Sequence, residues 1–121
     1  MVIGGDLNVA TYRVNFTSAQ TNAALITVGA GTKIVVTKCS ATASGANTVG
    51  VQVYIGFAAA TTPTATGILS HPSIVAGSGI VEGNGSGILG VGADGEDLRI
   101  TTVQATAHSI DVTVTYYTVS S

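Results

Sequence analysis

Charge is what this sequence has least of. Only 8 % of its 121 residues are Asp, Glu, Lys or Arg, against about 25 % in an ordinary soluble domain. The four basic residues, Arg13, Lys33, Lys38 and Arg99, are scattered along the chain, so the sequence offers no cationic stripe for a row of phosphates or an acidic lipid surface. Aromatic residues make up 5 %, and only Arg13 sits beside one of them, at Tyr12. Stacking single-stranded nucleic acid needs the two types interleaved. A single cysteine, Cys39, rules out an internal disulfide and with it a disulfide scaffold. Long apolar runs are missing too. No formally charged residue falls between Lys38 and Glu82, yet Thr, Ser, Gly, Asn, Gln and Pro interrupt that stretch well short of the about 18 apolar residues a membrane helix requires. The opening Met1 to Asp6 has no basic region and no long apolar segment, so it is not expected to act as a secretory signal. On that expectation the sequons at Asn15 and Asn84 are chance matches. Disorder is also excluded, because it combines low hydrophobicity with high net charge, and this chain is 45 % hydrophobic with net charge −2.

Glycine, alanine, serine and threonine supply about half the chain, and most of the rest is Val, Ile and Leu. Strong helix formers are few, and branching at Cβ favours extended backbone. Period-two alternation marks the strands. Ala10, Tyr12, Val14 and Phe16 share one face. So do Val49, Val51, Val53, Ile55 and Phe57, with Gln52 and Tyr54 opposite, and so do Ile110, Val112, Val114 and Tyr116, with Asp111, Thr113, Thr115 and Tyr117 opposite. Residues 33 to 41 read as a strand with Ile34 and Val36 facing away from Val35 and Cys39. Leu98 and Ile100 oppose Arg99 and Thr101. Weaker candidates run over residues 24 to 28, 67 to 70 and 87 to 91. Turn signals stand between them at Gly29-Ala30-Gly31, Ser44 to Asn47, Thr62-Pro63, His71-Pro72 and Ala93-Asp94-Gly95. About eight short strands separated by glycine-rich turns predict an all-β fold, a β-sandwich of jelly-roll type. Residues 1 to 8 form an N-terminal arm, and residues 9 to 121 form one domain. From Gly77 to Gly95, eight of nineteen residues are glycine. This predicts a long loop or a chain of tight turns, whose apolar pairs, Ile80-Val81 and Ile88-Leu89, pack on something, another subunit being the candidate.

Motifs for chemistry are weak. Gly85 to Gly90 fits G-x-G-x-x-G, but Val91-Gly92-Ala93-Asp94-Gly95 cannot readily open the helix that a dinucleotide site needs. Asp94, Glu96 and Asp97 match no calcium loop and read as a turn, with Asp97 and Arg99 placed to pair at the surface. His71 and His108 have no Cys or His at zinc-ligand spacing. A Ser–His–Asp set drawn from Ser70 or Ser78, His71 or His108, and Asp111 lacks a nucleophile elbow. Cys39 reads as a buried, inert thiol. The sequence therefore assigns no catalytic residue, no cofactor and no metal.

The C-terminal half carries a resemblance. Ser70-His71-Pro72-Ser73-Ile74, Gly77-Ser78-Gly79, the string Gly83 to Gly90, and Gly95 to Thr101, followed by a last strand ending Val114-Thr115-Tyr116-Tyr117, are similar to a family of small phage-encoded virion proteins. Asn47 to Val53 is similar as well, and the matches touch about half the chain. The resemblance implies a β-sandwich structural protein of tailed phages: a head decoration (cement) protein or a fibre or tail component. It brings no catalytic residues. The expectations are a homo-oligomer, a trimer being the form anticipated, bound to the major capsid protein or another virion protein, in a particle assembled in the bacterial cytoplasm. Neither nucleic acid nor membrane is expected as a partner. The arm and the glycine-rich segment are expected to make the contacts, with Leu7, Ile80, Ile88, Leu89 and Val91 as interface residues. A carbohydrate-binding sandwich is the alternative from another class; it requires exposed aromatics, and Tyr54 and Tyr117 are the outward-facing candidates.

Overall fold

A computed structural model describes residues 9–44, 50–57, 67–75, 77–83, 87–104 and 108–120. Among these, all regular structure is strand: β1 (Ala10–Phe16), β2 (Gln20–Ile26), β3 (Thr32–Ala43), β4 (Val51–Gly56), β5 (Gly67–Ile74), β6 (Gly79–Gly83), β7 (Gly90–Val91), β8 (Leu98–Val103) and β9 (Ile110–Ser120). They form two antiparallel sheets. The larger has the order β1-β9-β3-β6, with β7 also paired to β3; the smaller has the order β2-β8-β4-β5. The chain is a β-sandwich. Four antiparallel pairs nest within one another: β4 with β5, β3 with β6 and β7, β2 with β8, and β1 with β9.

Alternation sends one side chain in two toward the gap between the sheets. Ile34, Val36, Cys39, Ala41, Ile110, Val112 and Val114 come from the larger sheet, and Val51, Val53, Ile55, Leu69, Leu98 and Ile100 from the smaller. Together they form one buried cluster, with Val14, Phe16 and Tyr116 packed against it. Complete burial of a Val, Leu or Ile contributes about 1.5–3 kcal/mol. This core, with very few ionic contacts, is what holds the sheets together.

Three expectations about the backbone change. Cys39 does not share a face with Val35. The register on β9 steps from Val36↔Tyr116 to Lys38↔Thr115, so Thr37 is an extra residue, a β-bulge. The bulge reverses the phase and puts Cys39, Ala41 and Ala43 on the same face as Ile34 and Val36. Burial raises the Cys39 thiol to about 12, with a smaller contribution from the Glu82 carboxylate, so the thiol is protonated and unreactive at neutral pH. His71-Pro72 is not a turn: β5 runs through it. Proline's missing N–H is tolerated there because β5 is an edge strand with a register irregularity between Val51↔Ile74 and Val53↔His71. The segment from Gly77 to Gly95 is not one loop, since it contains β6 and β7, both laid along β3. Several of its glycines are required by close approach. A Cβ on Gly83, which has φ +78°, would lie 2.4 Å from the Thr37 carbonyl oxygen, and one on Gly92 would lie 2.7 Å from the Phe57 ring.

Candidate functional site

In an antiparallel sheet, directly paired residues project on the same side. The register therefore sets out the outer face of the larger sheet row by row. One row crosses β7, β3 and β9 as Val91, Val35 and Tyr117. Val9, one residue before the Ala10↔Tyr116 pair, extends that row on the β1 side. Val9 and Val91 are 58 % and 50 % exposed. The next row toward the middle of the sheet holds Thr11, Thr115, Lys38 and Gly83, and the one after it Arg13, Thr113, Ser40 and Val81. On the other side of the apolar row, Lys33 pairs with Val119. Beside β7 stands Ile88, 62 % exposed.

Three of the four basic residues thus face one way. Arg13, Lys33 and Lys38, scattered in sequence, project from this single outer face, where Asp111 is, among the described residues, the carboxylate in register with them. The expectation that the cations are spread over the surface is corrected. The cause is phase: Arg13 alternates with the inward Val14, Lys33 with the inward Ile34, and Lys38 regains the outward side only because of the Thr37 bulge. Among the described residues the ion pair is Arg99–Asp97, at 3.8 Å, on the smaller sheet. None of the three cations on the larger sheet is in it.

The sequence-derived interface residues fall at several depths. Ile80 pairs with Ala41 and is half-buried against the core. Leu89, partly buried, also packs on the core and donates its N–H to the Val36 carbonyl at 2.8 Å. Ile88 and Val91 remain exposed. Leu7 lies outside the described residues. Sequence reasoning missed Val35, Val9 and the gathering of basic residues, which depend on strand neighbours that no local pattern reveals.

The remaining chemical candidates have structural roles. Asp94 Oδ1 accepts from the Gly31 N–H at 2.7 Å, Asp97 Oδ1 from Val28 N–H at 3.4 Å, and Glu96 Oε1 from Ala93 N–H at 3.0 Å. Asp94 and Asp97 tie the β2–β3 turn to the β7–β8 turn, and Glu96 closes the β7–β8 turn on itself. Asp111 Oδ1 accepts from Asn15 Nδ2 at 2.9 Å, and the Ser78 hydroxyl donates to the Val75 carbonyl at 2.6 Å. The side chains of Ser70 and His71, and the 84–86 part of the glycine motif, lie outside the described residues. Gly90 opens a strand rather than a helix. Tyr54 is not an exposed aromatic platform: it is 7 % exposed, and its hydroxyl donates to Gln52 Oε1 at 2.9 Å. Tyr117 is half-buried, beside Val35. Neither a family model nor a curated protein sequence matches the chain.

Proposed function

We propose that this chain is a virion structural protein of a tailed phage, a capsid decoration protein that docks on the major capsid shell through the outer face of its larger sheet. The observation that carries the reading is the combination found there. One face gathers the exposed Val9 and Val91 and the half-buried Tyr117 together with Arg13, Lys33 and Lys38. Burial of the row supplies affinity, and the three cations meet carboxylates on the partner, setting orientation and association rate. The nesting of the strand pairs supports a jelly-roll reading of the sandwich, an architecture frequent in viral shells. That likeness is one of fold and does not by itself give function. The sequence resemblance read from residues 70–74, 77–79, 83–90 and 95–101 points the same way, and so does the low charge, which favours association. A homotrimer fits a protein that bridges neighbouring capsid subunits.

A location experiment decides between the head and the tail or fibre. Particles are purified from cells expressing the gene at its native locus and labelled with gold-conjugated antibody to the protein. Label over the head supports decoration; label confined to the tail transfers the protein to the fibre or tail class; absence from particles ends the virion reading. On purified heads, Val91→Asp should lower occupancy at a fixed concentration by at least about tenfold, because it places an unpaired charge in the docking row. Its melting temperature should stay within a few degrees of the parent, since Val91 is half-exposed.

A further inference from the structure

The outer face of the larger sheet has a direction. Its apolar residues run across the strands: Val91, Val35 and Tyr117 are paired in register on β7, β3 and β9, and Val9 adds the β1 side. Along β3 the same face reads differently. Its outward side chains are Lys33, then Val35, then, past the Thr37 bulge, Lys38. A lysine therefore stands on each side of the apolar row. Among the described residues neither lysine belongs to an ion pair. Asp111 lies two rows beyond Lys38 and accepts from Asn15 Nδ2. Glu82, paired with Cys39, takes the inward phase of β6.

Spacing selects what fits between the lysines. Neighbouring strands are about 4.8 Å apart, so the row from Val91 to Val9 is about 14 Å long, with one side chain at each step. Lys33 and Lys38 pair with Val119 and Thr115. At about 3.3 Å per residue along β9, that sets the two lysines about 13 Å apart. An α-helix is about 10–12 Å across with its side chains and advances about 5.4 Å per turn. It fills the gap, and its stripe at every third or fourth residue comes down at nearly the step of the strands. An extended segment laid along the row would place its side chains about 6.7 Å apart on this face, out of step with the row.

Resting on the docking face proposed above, we infer that the occupant of the row is an amphipathic helix of the partner, about three turns long, with carboxylates on both flanks of its apolar stripe. The helix crosses β3 at Val35, its stripe covers Val91, Val35, Tyr117 and Val9, and its two acidic flanks meet Lys33 on one side and Lys38 on the other. Burial of the stripe holds it, and the paired charges fix its axis across the strands.

The test uses the full chain, isotope-labelled for amide NMR, and three synthetic probes. One is a stapled helical peptide of about three turns with leucines along one stripe and glutamates on both flanks. The second is its counterpart with lysines in place of the glutamates. The third is a cyclic hairpin that displays the same leucines and glutamates from extended backbone. The glutamate helix should bind at least about tenfold more tightly than either of the others, with the largest shifts at Val35, Tyr117 and Val91. In a Lys33→Glu, Lys38→Glu double variant the preference between the two helices should reverse, since attraction becomes repulsion on both flanks. Both positions are at the surface, and its melting temperature should stay within a few degrees of the parent. If charge reversal unfolds the chain, Lys33→Gln with Lys38→Gln replaces it, and discrimination between the helices should vanish. Equal binding of the two helices, tighter binding of the hairpin, shifts confined to the smaller sheet, or no binding at millimolar probe would each overturn the inference. Its failure is separable from failure of the virion reading. Label on heads without helix discrimination removes the helix alone, and helix binding by a protein absent from particles removes the virion reading alone.

Discussion

The two outer faces of this sandwich are built from similar residues and treated very differently. On the smaller sheet, polar groups are tied down within the chain. The Tyr54 hydroxyl donates to Gln52 Oε1, the Thr101 hydroxyl accepts from the Asn22 N–H at 2.9 Å, and Arg99 donates to the Asn22 carbonyl at 3.0 Å while pairing with Asp97. Asn22 adopts φ 45° at a register shift in β2, a conformation Asn tolerates better than most residues, and this turns its backbone toward both partners. On the larger sheet, Val9 and Val91 stand half-exposed or more, and Arg13 and Lys38 extend into solvent. A face whose hydrogen bonds close on themselves has little to offer a partner. A face that leaves apolar surface and cations together has surface to bury and charges to match.

Tyrosines test this contrast most strongly, because each sheet carries one in an outward position. Tyr54→Ala should destabilise the fold by about 3–5 kcal/mol, the range for truncating a buried aromatic. Tyr117→Ala should cost about 1 kcal/mol, since its ring is only half-covered. Denaturant unfolding of the two variants reads this directly, and equal losses would erase the distinction. Tyr54→Phe isolates the hydroxyl. Removing its bond to Gln52 should cost about 1 kcal/mol, seen as a lower midpoint at unchanged slope. The smallest stability effect belongs to the cations. Arg13→Gln with Lys38→Gln should alter unfolding free energy by no more than about 0.5 kcal/mol, as for exposed positions generally. In a salt series on purified heads, the same pair should flatten the dependence of occupancy on ionic strength. A parent protein whose occupancy is insensitive to salt would mean that the cations take no part in docking.

Much of the architecture was legible in the sequence. The alternations at Ala10 to Phe16, Val51 to Phe57 and Ile110 to Tyr116 became β1, β4 with its following residue, and the first part of β9, and their apolar residues face the core, except in the first half of β1, where Tyr12 is exposed. Strand β6 was not legible, because its only apolar residues, Ile80 and Val81, lie between glycines and two residues cannot display a period. The Thr37 bulge was hidden for the opposite reason. Ile34, Val35, Val36 and Thr37 are all buried, so an unbroken run conceals the place where the phase changes. The candidate surface was legible only in part. Ile88 and Val91 stood out as apolar residues in a polar setting, but Val35 looked like any strand residue and the basic residues looked dispersed.

By itself, then, the sequence determined that this chain is made of strands and, for most of them, which side faces inward, because both properties follow from neighbours one or two residues away. Only the tertiary structure decided which outward side stays exposed. Tyr54 and Tyr117 have the same local alternation, yet one is buried and the other half-open, since cover over a sheet comes from residues distant in the chain. The gathering of Arg13, Lys33 and Lys38 was decided in the same way, by the order β1-β9-β3 and by one extra residue at Thr37, neither of which is a property of any single segment.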